Sequence, residues 1–506
     1  MTQANREIDE DALGLVPRPV RAERRNGSFD PGAAPLLEGD GFPAAALEDA
    51  RALLSAAWDR PWRLAAGVAP GRSGVLSIRR RDGLADEGYV LELGPSGGAL
   101  EASTEAGLKA GVNALRALAL LHGPVLPACR VEDEPRFAWR GFMLDCARTF
   151  FGVPFVERMI DLAALHRLNR FHWHLSDDQA WRLDLAAFPE LAAKGSSRPD
   201  TRYHDSPYVR DGSYSEADVA RVVAYAAARG VEIVPEIELP GHVSALLASH
   251  PELACVPREF APEDRFGIFE DVLCLGKDEV LAFAGRVLDE AARLFPGRWL
   301  HSGGDEVPTT RWEACPRCRA RAAKLGVEPE RLQGWFTREV ARMVAERGKA
   351  PAFWDEALEA GVPPGSLVFA WRGAERGPEA ARQGVDAVMC PMTKACYLDH
   401  KHLDDPEEPG QHAVCTVADS YAFEPVAGFA GGDEGRVLGV QANLWTEVAY
   451  NGRQAEYQTF PRLSAIAEVA WTPKSRRDFA SFSRRLGSWG AMLDRLGVNR
   501  YRGPLA

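Results

Sequence analysis

From Arg140 onward one pattern recurs along the chain: a short apolar run ends in a polar or aromatic cluster, and an amphipathic stretch follows. There are eight such runs: Arg140–Arg148, Arg170–Asp178, Glu232–His242, Trp299–Glu306, Pro351–Glu356, Leu367–Arg372, Ala387–Pro391 and Val437–Trp445. The stretches between them include Phe155–Leu168, Glu216–Arg229, Asp278–Leu294, Glu330–Glu346 and Pro378–Gln383, with apolar residues at helical spacing. Strands that alternate with helices form a parallel sheet, because parallel neighbours need a crossover between them. Eight repeats predict an α/β protein whose sheet closes into a (β/α)8 TIM barrel. An open doubly wound sheet is the alternative, and it would carry a glycine-rich phosphate turn after an early strand. No such turn is present. The C-terminal stretches Ala455–Trp471 and Phe479–Leu496 are read as helices that close the ring.

The first 130 or so residues read differently. Short β-prone runs, Gly74–Ile78 and Tyr89–Leu93, alternate with Gly- and Asp-rich turns, and a helical stretch follows near Leu108–Leu121. This predicts a small α+β domain over residues 1–134, ahead of a catalytic barrel over 135–506. The polar segment Val131–Pro135, ending in proline, is the expected boundary.

A hydrophobic content of 46% fits a large buried core, and a formal charge of -12 offers no basic stripe for a phosphate backbone. Nucleic acid is therefore not an expected partner. Met1–Glu10 lacks the cationic start and apolar core of a secretory signal, and no stretch is apolar for long enough to span a bilayer. A cytoplasmic protein with no membrane partner is expected. The nine cysteines, an odd number, read as reduced buried thiols. Cys315-Pro316-Arg317-Cys318 is the one close pair, and with no second pair at similar spacing no structural metal is expected there.

In a barrel the active site lies at the carboxyl ends of the strands, so the residues that close each run carry the functional reading. They are Asp145 and Arg148; Asp177 and Asp178; Glu236, Glu238 and His242; Asp305 and Glu306; Trp354, Asp355 and Glu356; Trp371 and Arg372; Tyr397 and Asp399 just past the seventh run; and Trp445 with Glu447. Carboxylates and a positioned arginine bind sugar hydroxyls through paired hydrogen bonds, while tryptophan faces stack on the apolar side of a pyranose. The combination points to a carbohydrate pocket. His172 and His174 stand two apart on one strand face, as zinc ligands could, but a hydrogen-bonded structural pair is the expected role.

The motifs Arg140–Asp145, His172–Gln179, Pro235–His242, Gly303-Gly304-Asp305-Glu306 and Gln441–Trp445 resemble, in this order, the signatures of the family 20 β-N-acetylhexosaminidases. The resemblance runs from about Pro135 to Pro473, and the small N-terminal domain is similar to that family's companion domain. It implies an exo-acting enzyme that removes a terminal N-acetylhexosamine from an oligosaccharide or glycoconjugate. The mechanism it implies is retaining, with the substrate's own 2-acetamido oxygen as nucleophile.

By the same resemblance Glu306 is the proton donor and Asp305 orients the amide, with Asp177 and His242 as the pair that orients the acid. Tyr397 would donate to the amide oxygen, Trp354, Trp371 and Trp445 would wall the pocket, and Arg148, Asp399 and Glu447 would hold the sugar hydroxyls. No cofactor and no catalytic metal are expected, and the assembly is expected to be a monomer or homodimer. A same-family enzyme that releases a disaccharide and a non-catalytic carbohydrate-binding barrel are the competing readings. Ser302, Ala180 and Thr149 depart from the common pattern and bear on fine substrate preference.

Adjacent residues of a regular strand face opposite sides, so Asp305 and Glu306 can serve one ligand only where the pleat breaks. Gly303 and Gly304 just before them permit that break.

Overall fold

The computed structural model describes residues 11–65, 73–198 and 211–506; the acid-rich Met1–Glu10 segment lies outside these residues. Eight parallel strands form a closed barrel: β1 (Trp139–Asp145), β2 (Arg170–His174), β3 (Glu232–Glu236), β4 (Trp299–His301), β5 (Ala350–Trp354), β6 (Leu367–Ala370), β7 (Asp386–Met389) and β8 (Val437–Leu444). Strand β8 returns to pair with β1, with Gly439 opposite Trp139 and Leu444 opposite Leu144. Helices cover the outside and side chains fill the inside, so the strands are buried on both faces and read as near-continuous apolar runs. Aromatic edges pack in the interior: the rings of Trp139 and Phe369 lie 5.4 Å apart, and those of His301 and Phe369 4.8 Å apart. All eight expected strands are present.

The expected helix over Ala455–Trp471 is instead two, Gly452–Thr459 and Arg462–Trp471. Pro461 stands between them, where its missing amide and its ring break the helical ladder. The second of the two packs across β8 and β1 and closes the seam of the ring.

The N-terminal unit is a seven-stranded mixed sheet with helices Ala44–Trp58 and Glu105–His122. The longer helix also packs on the barrel helix Val153–Leu165 and is therefore apolar around most of its surface. Thr104 caps it by accepting from the Gly107 amide at 3.0 Å.

The expected boundary segment begins inside a largely buried strand, Leu126–Asp133. Its polarity reflects a joint rather than a solvated tether. The Asp133 carboxylate, 5% exposed, accepts from Tyr89 Oη at 2.8 Å, from Trp471 Nε1 at 2.9 Å and from the Val20 amide at 3.0 Å. The bond from Trp471 fastens the sheet to the barrel helix Arg462–Trp471. Among the described residues no helix is long and apolar enough to cross a membrane.

Candidate active site

Strand β4 is three residues long, and the chain leaves it through Gly303 (φ +59°) and Gly304 (φ +95°). A Cβ on Gly303 would fall 1.8 Å from Oε2 of Glu238, so no larger residue fits there. The Gly304 amide donates to the same oxygen at 3.3 Å. Glu306 then takes φ +49°, a left-handed conformation unusual for a residue with a side chain. The consequence is the one the sequence requires: both neighbouring acids face the same side. Nε2 of His242 lies 3.7 Å from Oδ2 of Asp305 and 3.6 Å from Oε2 of Glu306.

The two acids open into a cavity of about 330 Å3 at the carboxyl ends of the strands. That is near the lower end of small-ligand clefts, roughly 300–1,000 Å3, and suits a single sugar better than a chain of them. Trp354 at the end of β5, Trp371 past β6, Tyr397 beyond β7 and Trp445 past β8 form its walls. The Trp371 and Tyr397 rings are nearly parallel (11°) with centroids 6.3 Å apart, and Trp354 and Trp445 lie 5.8 Å apart. Trp371 is held by its Nε1, which donates to Glu356 at 3.0 Å.

Arg148 sits over the Trp445 ring at 5.1 Å and is clamped by Gln179 (2.8 Å) and Asp177 (2.8 Å). Its Nη1 stands 3.5 Å from Asp145 without a hydrogen bond, and Oδ1 of Asp305, Oδ1 of Asp399, Oε2 of Glu447 and Nε1 of Trp354, all buried against this cavity, have no hydrogen-bond partner either. Buried polar atoms are normally paired, so a cluster of orphans in one cavity marks the positions of a ligand's polar groups.

Of the predicted site residues, Arg148, His242, Asp305, Glu306, Trp354, Trp371, Tyr397, Asp399, Trp445 and Glu447 all line this cavity. Asp177 does not; it lies behind, bonded to Arg148 and, at 2.8 Å, to Nε2 of His174. It also shares His242 with a neighbour: Nδ1 of His242 is 2.9 Å from Asp178 and 3.3 Å from Asp177. Asp178 is thus the nearer partner of the histidine and is fixed in turn by the Ser244 amide (2.9 Å) and hydroxyl (2.7 Å). Met392, His400 and Gln411 also line the cavity and were not expected. They belong to the long connection between β7 and β8, where His400 and Gln411 stand opposite each other on two paired strands, His400–Lys401 and Gln411–Val414, too short for a periodicity to mark them.

The electrostatics follow from burial set against close charges. Burial disfavours a charged Asp177, yet Arg148 and His242 outweigh it and hold the carboxyl far below its usual range. Burial likewise opposes protonation of His242, but Asp177, Asp178 and Glu306 raise it well above the ordinary histidine value. These charges favour the imidazolium form of His242, whose Nε2 lies between the two acids. For Asp305, burial together with Glu236, Glu306 and Asp177 outweighs His242 and pushes the carboxyl up to about 6.

Beneath the site, Glu236 gathers three histidines: His174 by a short bond, His301 at 2.9 Å and His172 at 3.1 Å. The other nitrogen of His172 meets Gln441 at 3.0 Å, and that of His174 meets Asp177. His172 and His174 thus form the expected hydrogen-bonded scaffold.

Thr149, one of the departures, ties the end of β1 to that of β8 by donating twice to Thr446: its amide to the Thr446 hydroxyl and its own hydroxyl to the Thr446 carbonyl, each at 3.1 Å. Nothing in the structure explains Ser302. The reading of Cys315 and Cys318 as a lone pair is corrected: Cys255 and Cys274 converge on them, from 19 residues apart in sequence.

A family model described as glycosyl hydrolase family 20, catalytic domain, matches residues 137–474, and one described as domain 2 of the same family matches residues 12–134. A beta-hexosaminidase of Porphyromonas gingivalis is 40% identical over 83% of this chain, which spans only 55% of that longer protein. An exo beta-N-acetylglucosaminidase of Vibrio harveyi, solved with N-acetylglucosamine, superposes with a TM-score of 0.87 at 31% identity, over 97% of this chain and 78% of that one. An N-acetyl-beta-hexosaminidase of Streptomyces plicatus, solved with Thio-NAglucal, gives 0.85 at 32% identity over 97% of both chains.

Proposed function

The chain belongs to glycosyl hydrolase family 20, and from that premise we propose that it is an exo-acting β-N-acetylhexosaminidase that works with retention through the substrate's acetamido group. The observation that carries this reading is the single pocket into which two adjacent acids open, both beside one imidazolium and walled by Trp354, Trp371, Tyr397 and Trp445.

A terminal N-acetylhexosamine in this cavity satisfies its orphan atoms. Arg148, Asp399 and Glu447 bind ring hydroxyls, and the tryptophans enclose the ring and the acetamido methyl. Asp305 accepts the amide N–H, Tyr397 donates to the amide oxygen, and that oxygen attacks the anomeric carbon as Glu306 protonates the leaving oxygen. The oxazolinium intermediate then takes up a water from which Glu306, now a carboxylate, removes the proton. Two inversions at the anomeric carbon amount to retention. His242, fixed by Asp177 and Asp178, orients the acid pair and offers positive charge beside it.

Product analysis on N-acetylhexosamine oligomers tests the reading. Release of one terminal monosaccharide per cleavage is expected; release of disaccharides, or no hydrolysis, would contradict it.

Asp305 must be ionised to accept the amide N–H, and its carboxyl stands at about 6. We expect kcat/KM to fall as pH drops through about 6, with that limb absent in Asp305→Asn. Stability runs the other way. The folded carboxyl holds its proton more tightly than the unfolded one, whose ordinary value is 3.8, so the stability it contributes is complete below 3.8 and lost as pH rises through about 6. Thermal denaturation should find Asp305→Asn melting above the wild type at neutral pH, with the gap closing in acid. A variant that melts lower at neutral pH would contradict the electrostatic account.

A further inference from the structure

Outside the active site, four thiols converge where the loop after β3 meets the helix Pro316–Leu325. Cys274 Sγ lies 3.6 Å from that of Cys318 and 3.8 Å from that of Cys315, Cys255 Sγ lies 3.7 Å from that of Cys318, and all four sulfurs are within 4.8 Å of one another. A zinc ion held by four thiolates at about 2.3 Å sets its sulfurs about 3.8 Å apart along each edge of a tetrahedron. We propose that Cys255, Cys274, Cys315 and Cys318 form a structural zinc site.

Three further observations fit this arrangement. Cys315 occupies the residue just before the helix Pro316–Leu325 and Cys318 sits in its first turn, where the unpaired amides and the positive end of the helix favour thiolate. In Cys274-Leu275-Gly276 the chain turns back on itself, the Lys277 amide donating to the Cys274 carbonyl at 3.0 Å. Gly276 is also where the two ligand-bearing segments touch backbone to backbone: a Cβ there would lie 2.3 Å from the Arg317 carbonyl carbon and 2.5 Å from the Cys318 nitrogen. The glycine is what lets the loop reach the Cys-Pro-Arg-Cys turn.

Four protein ligands close the coordination shell, which leaves no open position for substrate or water, so the ion is a staple rather than a reagent. What it fastens is the loop that supports the active-site histidine. Between Cys255 and Cys274, Leu273 donates its amide to Pro240 O at 3.0 Å, two residues before His242, and accepts from Trp312 Nε1 at 2.9 Å. Ala254 pairs with Leu273 as an isolated bridge. Binding releases the thiol protons, so affinity falls in acid.

The test is elemental analysis of the full chain, purified under reducing conditions after exposure to zinc. One zinc per chain is expected, falling to near zero in Cys318→Ser and in the Cys255→Ser/Cys274→Ser double variant, and unchanged in Cys129→Ser, a buried thiol of the N-terminal sheet. Should the ligand variants fail to fold, the wild type alone decides: replacement of the metal by cobalt should produce the near-ultraviolet charge-transfer and intense visible bands of a tetrahedral thiolate site. Chelation should lower Tm without changing the initial rate of the chain that remains folded. Reduced, zinc-exposed wild type with far less than one metal per chain and four titratable thiols, or a disulfide found among these cysteines by mass spectrometry, would overturn the proposal.

Discussion

Glu306→Gln lowers kcat/KM by about 10^2–10^4-fold on natural glycosides, and far less on aryl glycosides whose leaving group departs without a proton. The amide has the shape and reach of the carboxyl, so the cavity walls and the sugar contacts stay as they are. What is lost is a proton that can be given to the leaving oxygen. The sugar alcohol of a natural substrate cannot leave as an anion at a useful rate, whereas an activated phenolate can. Because kcat/KM reports steps only up to cleavage of the glycosidic bond, the comparison isolates the acid role of Glu306 from its later role as base. Its place beside Nε2 of His242, at the mouth of the aromatic cavity, is the geometric ground for the prediction. The measurement is a series of leaving groups of graded acidity on both proteins. A loss independent of the leaving group would remove Glu306 from the acid role.

Asp305→Ala is expected to cost about 10^2–10^3-fold in kcat on an N-acetylglucosaminide, the range observed when one preorganised group that stabilises the transition state is removed. The carboxylate is buried, 8% exposed, and Oδ1 has no protein partner, so its charge is directed at a ligand rather than used to hold the fold. Its removal leaves the acetamido group free to rotate away from the anomeric carbon and leaves the charge that develops on the amide nitrogen unbalanced. A matched glucoside has no amide to orient, so on that slow substrate the same variant should lose little. Steady-state rates on the two substrates for both proteins give the comparison, and an equal loss on both would mean that Asp305 acts on the ring or on the fold rather than on the amide.

Much of this site was legible because a barrel gathers distant strand ends into one place. Once Val437–Trp445 and Trp299–Glu306 are read as strands, Trp445 and Glu306 must meet at the same rim. The pleat argument likewise located the break at Gly303-Gly304 before any geometry was known, and the left-handed Glu306 bears it out.

What escaped the sequence has physical reasons of its own. Asp177 and Asp178 are neighbours of identical chemistry, and only the approach of His242 decides that Asp178 is the nearer. Met392, His400 and Gln411 lie in a connection with neither helical nor strand period. The four cysteines reach one point only because Gly276 lets a loop touch a helix start, a tertiary event that ligand spacing cannot report. The break at Pro461 was readable, since proline inside a helical pattern is a stop signal. That the polar stretch at the expected boundary is a buried joint was not legible, because a buried carboxylate that joins two units looks, in sequence, like a solvated one.

The most direct test of substrate-assisted catalysis is the rate on a series of aryl N-acylglucosaminides in which the acetamido methyl carries zero to three fluorines. Fluorine withdraws electrons from the carbonyl while changing the size of the methyl little, so it weakens the nucleophile and leaves the binding contacts nearly intact. A steep, regular fall in kcat/KM with each fluorine is predicted. A flat series, accompanied by a sugar ester trapped on a carboxylate of the protein, would contradict the account.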